Sequence, residues 1–390
     1  MIVQKDFYYF KKIESVSSLY INISSYIHYI GETMKHGLNF DETDSNYMLL
    51  NEIFKIIGSR ESKQIMSRNG LKPLDKVIPL VKTVILAAYF ECSISFVVEE
   101  LKSKSKLREG LDFDIVLEAQ EIYDRLSKFN PVQLENTVNS ILNKLRNDYN
   151  RGRRTFIIDA TPGDLNINFN GKKISKESLE DKDYAWAWGT SIGFYIGYKI
   201  TLVLDYRTKI PVYFMIDRGS PNDTTMVSKI LPILQKKRII RKGDCILMDR
   251  GYYSYENYKI ALQKFHIIPL ILTKSKFNKE KLESMLNYPL HLFHAKSNLK
   301  RVKRTYEKLV KEFLEKIDER DKIKCHRGFI EDFFKLLKEG LGFKQLNRYT
   351  LNSMSKYTSI VVLLAGIITY LRIIVFYQMF VPKYSFTQFL

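Results

Sequence analysis

Cys245-Ile-Leu-Met-Asp-Arg-Gly-Tyr-Tyr253 is an apolar run that stops abruptly at a carboxylate, a cation and a glycine. Four apolar residues closed by such a break read as a buried strand. In open sheets, sites are built just beyond the carboxyl ends of the strands. Asp249 is therefore either a turn former or a ligand for a hard cation. The stretch alone leaves both open.

The same grammar recurs on either side. Thr155-Phe-Ile-Ile-Asp159 is a second apolar run closed by an acid, and residues 197–205 and 210–216 are β-branched and aromatic. Asn222 and Asp223 cap a helix through residues 226–234; residues 244–249 read as strand, 255–264 as helix and 266–272 as strand. The order β-β-β-α-β-α-β predicts an α/β protein. Asp205 and Asp217 also close strands and read as turn residues. Trp186 and Trp188 suit an edge strand or stacking on unpaired bases.

Upstream, residues 1–150 have helical spacing. Residues 93–101 and 113–126 carry apolar side chains every three or four positions around Gly110, which fits a helix-turn-helix or any small bundle. Asn130-Pro131 opens a further helix to about Asn147, and Arg151-Gly-Arg-Arg154 marks the change of pattern. Downstream, residues 274–327 hold 16 Lys or Arg against 8 Asp or Glu. This helical, basic stretch is either a solvated face or a grip on phosphates. His291 and His294 lack further ligands for zinc.

Composition sets the outer bounds. With 390 residues, 45% hydrophobic and 13% aromatic, the chain can bury a sizeable core in two or three domains, which excludes a disordered tail. A net charge of +19 attracts polyanions, nucleic acid first, although Lys-rich usage also follows from an AT-rich gene. Cys92, Cys245 and Cys325 lie too far apart for a zinc site or disulfide framework and read as reduced, structural thiols. The opening residues lack a signal-peptide pattern, so the expectation is a cytoplasmic protein with no membrane part. The apolar run 359–371 continues past Arg372; a mid-span arginine is costly in lipid, so it reads as a buried core helix rather than a span.

The helix near Arg327 bears on the choice for the aspartates. At roughly 100° per residue, Arg327, Glu331 and Lys338 fall within about 40° of one another. Ile330, Phe333, Phe334, Leu337 and Leu341 form the neighbouring apolar flank, and Gly340 ends the helix. Gly328 weakens the helix and predicts close approach by another backbone or a ligand.

Ile158-Asp159-Ala-Thr161, Gly197-Tyr-Lys199 with Pro211, Asn222-Asp223, Met248-Asp249-Arg-Gly-Tyr-Tyr253 and Arg327-x3-Glu331-x6-Lys338 together resemble the DDE-type transposases of prokaryotic insertion sequences. The subgroup resembled has a Tyr-x2-Arg-x3-Glu-x6-Lys signature. The resemblance covers about residues 151–375. It implies an RNase H-like mixed sheet core flanked by helices, with an all-α N-terminal region and a helical basic insertion. The divisions are residues 1–150, binding DNA ends; 151–273, first part of the core; 274–326, the insertion; and 327–390, second part of the core and C-terminal helix.

By that resemblance Asp159, Asp249 and Glu331 are the catalytic, metal-binding triad. They would hold Mg²⁺ or Mn²⁺, as two ions about 4 Å apart that activate a water and relieve charge on the leaving oxygen. Arg327, Lys338 and Arg250 would contact DNA, the arginine fork of Arg327 gripping phosphate. Lys324 stands where the signature has tyrosine and would also face DNA. The implied activity is strand cleavage at transposon ends and strand transfer into target, by a homodimer on double-stranded DNA near the nucleoid. Some relatives insert a β-rich segment linked to a hairpin intermediate; residues 274–326 read as helical, so that step is not implied. The alternatives are a catalytically silent, transposase-derived DNA-binding protein and an RNase H-like nuclease or resolvase without strand transfer.

Overall fold

A computed structural model describes residues 45–147, 154–167, 177–189, 192–273, 277–286, 299–318, 327–344 and 346–380 of the chain; within these, the side chains of 45–46, 147, 299–302 and 373–380 are not described. Its centre is strand β1 (Thr155–Asp164), which meets two different partners. From Phe156 to Asp164 β1 pairs antiparallel with β3 (Gly193–Asp205), while only residues 155–158 pair in parallel with β5 (Cys245–Met248). β6 (Ile268–Ile271) continues the parallel side beyond β5. On its other edge β3 is shared between β2 (Ala185–Gly189), beside residues 193–197, and β4 (Pro211–Arg218), beside residues 198–204.

This is a mixed α/β sheet flanked by helices, with the β4-β3-β1-β5-β6 order of an RNase H-like core. One boundary is corrected by the strand pairing. Asp159 does not end its strand: β1 runs on to Asp164, because β3 still supplies hydrogen bonds after β5 has stopped. The edge strand that Trp186 and Trp188 suited is present as β2, beside the predicted three early strands.

Alternation along the strands divides the core in two. Ile157, Ile200, Leu202, Leu204 and Leu247 face one apolar layer, and Phe156, Ile158, Val203, Ile246 and Met248 face the other. The second layer is covered by α8 (Asp223–Lys236), by α9 (Tyr255–Lys259) continuing into a π-turn at Ile260–Lys264, and by α10 (Lys279–Met285) and α11 (Leu299–Asp318). On α11, Tyr306, Leu309, Phe313 and Ile317 point inward. Its outer face carries Lys303–Glu307 and Lys316–Glu312 pairs one turn apart, the arrangement of a solvated face.

The first layer is shared with the N-terminal helices. These are Ser45–Gly58, Arg60–Arg68, Leu74–Tyr89, Ile94–Ser103, Ser105–Gly110, Ala119–Lys128 and Pro131–Asn147, here α1 to α7, followed on this side by α12 (Gly328–Gly340) and α13 (Leu351–Phe380). The predicted helix over 113–126 begins only at Ala119; Asp112 adopts φ 55 and turns the chain. Asn130 caps α7 as expected, its side chain accepting from the N–H of Val132. α7 crosses α13 so closely that a Cβ on Gly366 would stand 2.5 Å from Leu142 Cδ2. α13 is long and apolar enough to cross a membrane, yet 67% of its apolar window is buried. Residues 360–368 pack in the layer shared by α7, α3 and β4, which is the core-helix role expected.

Candidate active site

Asp159 follows Ile158, and Asp249 follows Met248; those two are the last parallel pair between β1 and β5. Adjacent strands lie about 4.8 Å apart, so the two carboxylates stand side by side where the sheet splits. Parity sets their direction: 159 shares the face of 157, and 249 the face of 247, which is the layer carrying α12. Ile330, Phe333, Phe334 and Leu337 anchor α12 there, and the helix presents Glu331 to the same place.

One guanidinium joins the three. Arg327 Nη1 lies 2.8 Å from Asp249 Oδ1, and Nη2 lies 3.0 Å from Glu331 Oε1 and 3.4 Å from Asp159 Oδ2. Asp249 stands at the N-cap of the short 3-10 turn Arg250–Tyr252, but its carboxylate makes no capping hydrogen bond there, so turn formation does not account for the side chain. Asp205 shows the contrast, since its carboxylate accepts from the N–H groups of Arg207 and Thr208 and does shape a turn.

Side-chain exposure rises from 15% at Asp159 through 31% at Asp249 to 59% at Glu331, so the site opens toward solvent along α12. Burial pushes the Asp159 carboxyl up to about 6, against the N–H of Ala160 and the charge of Arg327, which favour its ionised form. An all-oxygen donor set converging from three elements fits a hard divalent cation in kind. In this arrangement the guanidinium stands between the acids, and among the described residues no three acidic, histidine or cysteine side chains are set at metal-holding spacing.

Other sequence-predicted residues fall at varying distances. Arg250 is exposed on the turn after Asp249. Lys338 lies seven residues past Glu331, about 10 Å along the helix, where burial lowers its pKa and the neighbouring Asp164 opposes that. Lys324, Cys325, His291 and His294 lie outside the described residues. At Gly328 a Cβ would meet nothing within 4 Å among the described residues, so no backbone described there makes the close approach expected of it.

The structure gives two motif residues contacts beyond those the sequence assigned them. Asp223, first in α8, lies 2.5 Å from Lys199 Nζ, and its Oδ2 would stand 2.6 Å from a Cβ on Gly251. Tyr252 is wholly buried beside the site, its hydroxyl without a hydrogen-bond partner among the described residues. Burial, then the charges of Asp159, Asp223 and Asp249, drives its pKa up. The Asn222-Asp223 and Gly251-Tyr252 pairs were visible as motif fragments, but what they touch was not.

A profile of the transposase DDE domain matches residues 150–365. No curated protein matches the chain. Among solved structures the chain is similar to the Mos1 transposase paired-end complex with left transposon end, at 14% identity over 56% of this chain and 75% of that one, with a TM-score of 0.19.

Proposed function

The chain belongs to the transposase DDE domain family, and from that membership we propose that it cuts DNA at the ends of an insertion sequence and joins the freed 3′ ends to target DNA. One observation carries the reading: carboxylates from β1, from the end of β5 and from α12 meet at a single guanidinium. The order Asp, Asp, then Arg-x3-Glu-x6-Lys supports the subgroup with that signature, with Lys324 in place of its tyrosine.

Asp159, Asp249 and Glu331 would hold the divalent ions that this family uses. Those ions, when bound, supply an activated water and charge relief on the leaving oxygen. Asp159 acts only when ionised, and its position at the floor of the site makes that step depend on nearby positive charge. Glu331, the most exposed acid, lines the entrance. Arg327 presents a planar fork that suits two phosphate oxygens, and its Nε has no hydrogen-bond partner among the described residues. Its phosphate contact would draw it from the carboxylates as DNA enters. Arg250, Lys338 and Lys324 extend the basic surface around that path.

The remaining assignments follow from the same reading. Residues 1–150 bind transposon ends, 151–273 and 327–390 form the catalytic core around the insertion 274–326, and two copies act together on double-stranded DNA in the prokaryotic cytoplasm. Incubation of supercoiled plasmid carrying candidate ends with Mg²⁺ tests the chemistry. Nicking that disappears in Asp249→Ala, with a 3′-OH oligonucleotide joined to target by the intact chain, is the expected result. Nicking without joining would make it a nuclease or resolvase, and nicking unchanged in Asp249→Ala would remove the site assignment.

A further inference from the structure

Three fragments of the motif set, around Lys199, Asp223 and Gly251, take no part in the triad, yet the fold gathers them behind one of its members. Lys199 projects from β3, 7% exposed, and its Nζ donates to the carbonyl of Pro221 at 2.6 Å and pairs with Asp223 Oδ1 at 2.5 Å. Both contacts fix the start of α8 against the sheet. Asn222 completes that start by accepting from the N–H of Thr224.

From this anchor the helix reaches the turn that follows Asp249. Asp223 Oδ2 fills the space where a side chain on Gly251 would begin, 2.6 Å from its Cβ position. Asn257, buried, ties the same two segments a second time: its Nδ2 donates to Thr224 O at 2.9 Å and to Tyr252 O at 2.8 Å. The turn itself is closed by the N–H of Tyr252 on Asp249 O, and the Tyr252 ring is buried in the layer beneath α8. β5 is only four residues long, so the ladder alone gives Asp249 little support beyond Met248. Its backbone is held from the far side instead.

We infer that the Lys199–Asp223 ion pair, with Asn257, is a positioning clamp for the turn bearing Asp249, setting that carboxylate's angle toward Asp159 and Glu331. The inference rests on the reading of Asp249 as a metal ligand. Supports lying one contact behind a ligand change metal affinity or activity by about 10- to 100-fold when removed. Lys199, Asp223 and Asn257 are thus positioning residues. The glycine is needed because any side chain at 251 would displace Asp223.

The test uses the full chain, Mn²⁺ titration followed by calorimetry without DNA, plasmid nicking, and thermal denaturation beside both. Lys199→Met and Asp223→Asn are expected to weaken Mn²⁺ binding and slow nicking by about 10- to 100-fold, with Lys199→Arg restoring most of both. Lys229→Met, which removes another ion pair of α8 away from the turn, should leave both at the wild-type level. Gly251→Ala and Asp223→Ala should be non-additive in Mn²⁺ affinity, since each removes the same contact. Additive effects, or losses that follow the drop in melting temperature across all variants including Lys229→Met, would overturn the clamp. Should Asp249→Asn abolish Mn²⁺ binding while Lys199→Met and Asp223→Asn bind as wild type, the clamp alone is wrong. Wild-type Mn²⁺ binding in Asp249→Asn would instead remove the reading beneath it.

Discussion

Replacing Arg327 by glutamine removes the cation that, among the described residues, touches all three acids, and the consequences can be sized. The separations are 2.8, 3.0 and 3.4 Å, to carboxylates 31%, 59% and 15% exposed. Exposed pairs contribute about 0–1 kcal/mol, whereas stripping one partner from a buried pair costs about 3–5 kcal/mol. The Glu331 contact belongs near the first limit and the Asp159 contact nearer the second. A loss of about 2–3 kcal/mol is expected for Arg327→Gln in buffer without divalent ions. The same change leaves the acids uncompensated, so a divalent ion should bind the DNA-free variant more tightly than wild type, by about 10-fold or more, or 1.4 kcal/mol per decade. Urea denaturation across a Mg²⁺ series reads both quantities, because an ion that binds only the folded state stabilises by RT ln(1 + [L]/Kd). The variant should begin less stable and gain more. A cycle with Asp249→Asn isolates the shared contact, and the double variant should recover part of the loss. If Arg327→Gln were as stable as wild type without divalent ions and gained no more from Mg²⁺, the counter-cation account would be wrong.

Three further outcomes are expected. The Asp159 carboxyl, raised to about 6 by burial, gives the folded chain an extra proton between about pH 4 and 6, so this group's contribution makes stability fall as pH rises through that window. Divalent binding moves the opposite way: its affinity should drop about tenfold from pH 7 to pH 5 through this group, a dependence that Asp159→Asn abolishes in Mn²⁺ calorimetry. Asp244 accepts from the side chain and N–H of Arg154 and from the N–H of Arg241, joining the starts of β1 and β5. Asp244→Ala strands a buried guanidinium and should cost about 3–5 kcal/mol in urea denaturation. Gly366→Ala places a Cβ 2.5 Å from Leu142 Cδ2, and overpacking of this kind costs about 1–3 kcal/mol, measured as a lowered thermal midpoint by circular dichroism.

Much of the core was legible in the chain because its periods are strong. The β-branched run ending at Asp205, the capped start of α8 and the apolar flank of α12 each carry local signals, and each appears where expected. Boundaries failed where a partner strand or a turn decided them: β1 outlasts its apolar run because β3 supports it, and the helix expected from 113 waits until 119. At Gly328 no described backbone makes the expected approach, because propensity says that a glycine is costly, not what stands next to it.

For the site, the linear chain supplied the chemistry: three acids, an arginine four residues before the last, and a motif order that resembles one family. Residue spacing within one helix or strand fixes which side chains share a face, so Arg327 with Glu331 could be read directly. That Asp159 and Asp249 are neighbours depends on parallel pairing between segments some ninety residues apart. That Glu331 shares one guanidinium with them depends on which layer α12 packs into, a choice made by apolar burial across the whole molecule. The Lys199–Asp223–Gly251 contacts are of the same long-range kind. Local periodicity carries no information about pairings of that sort, and they exist only once the sheet has closed.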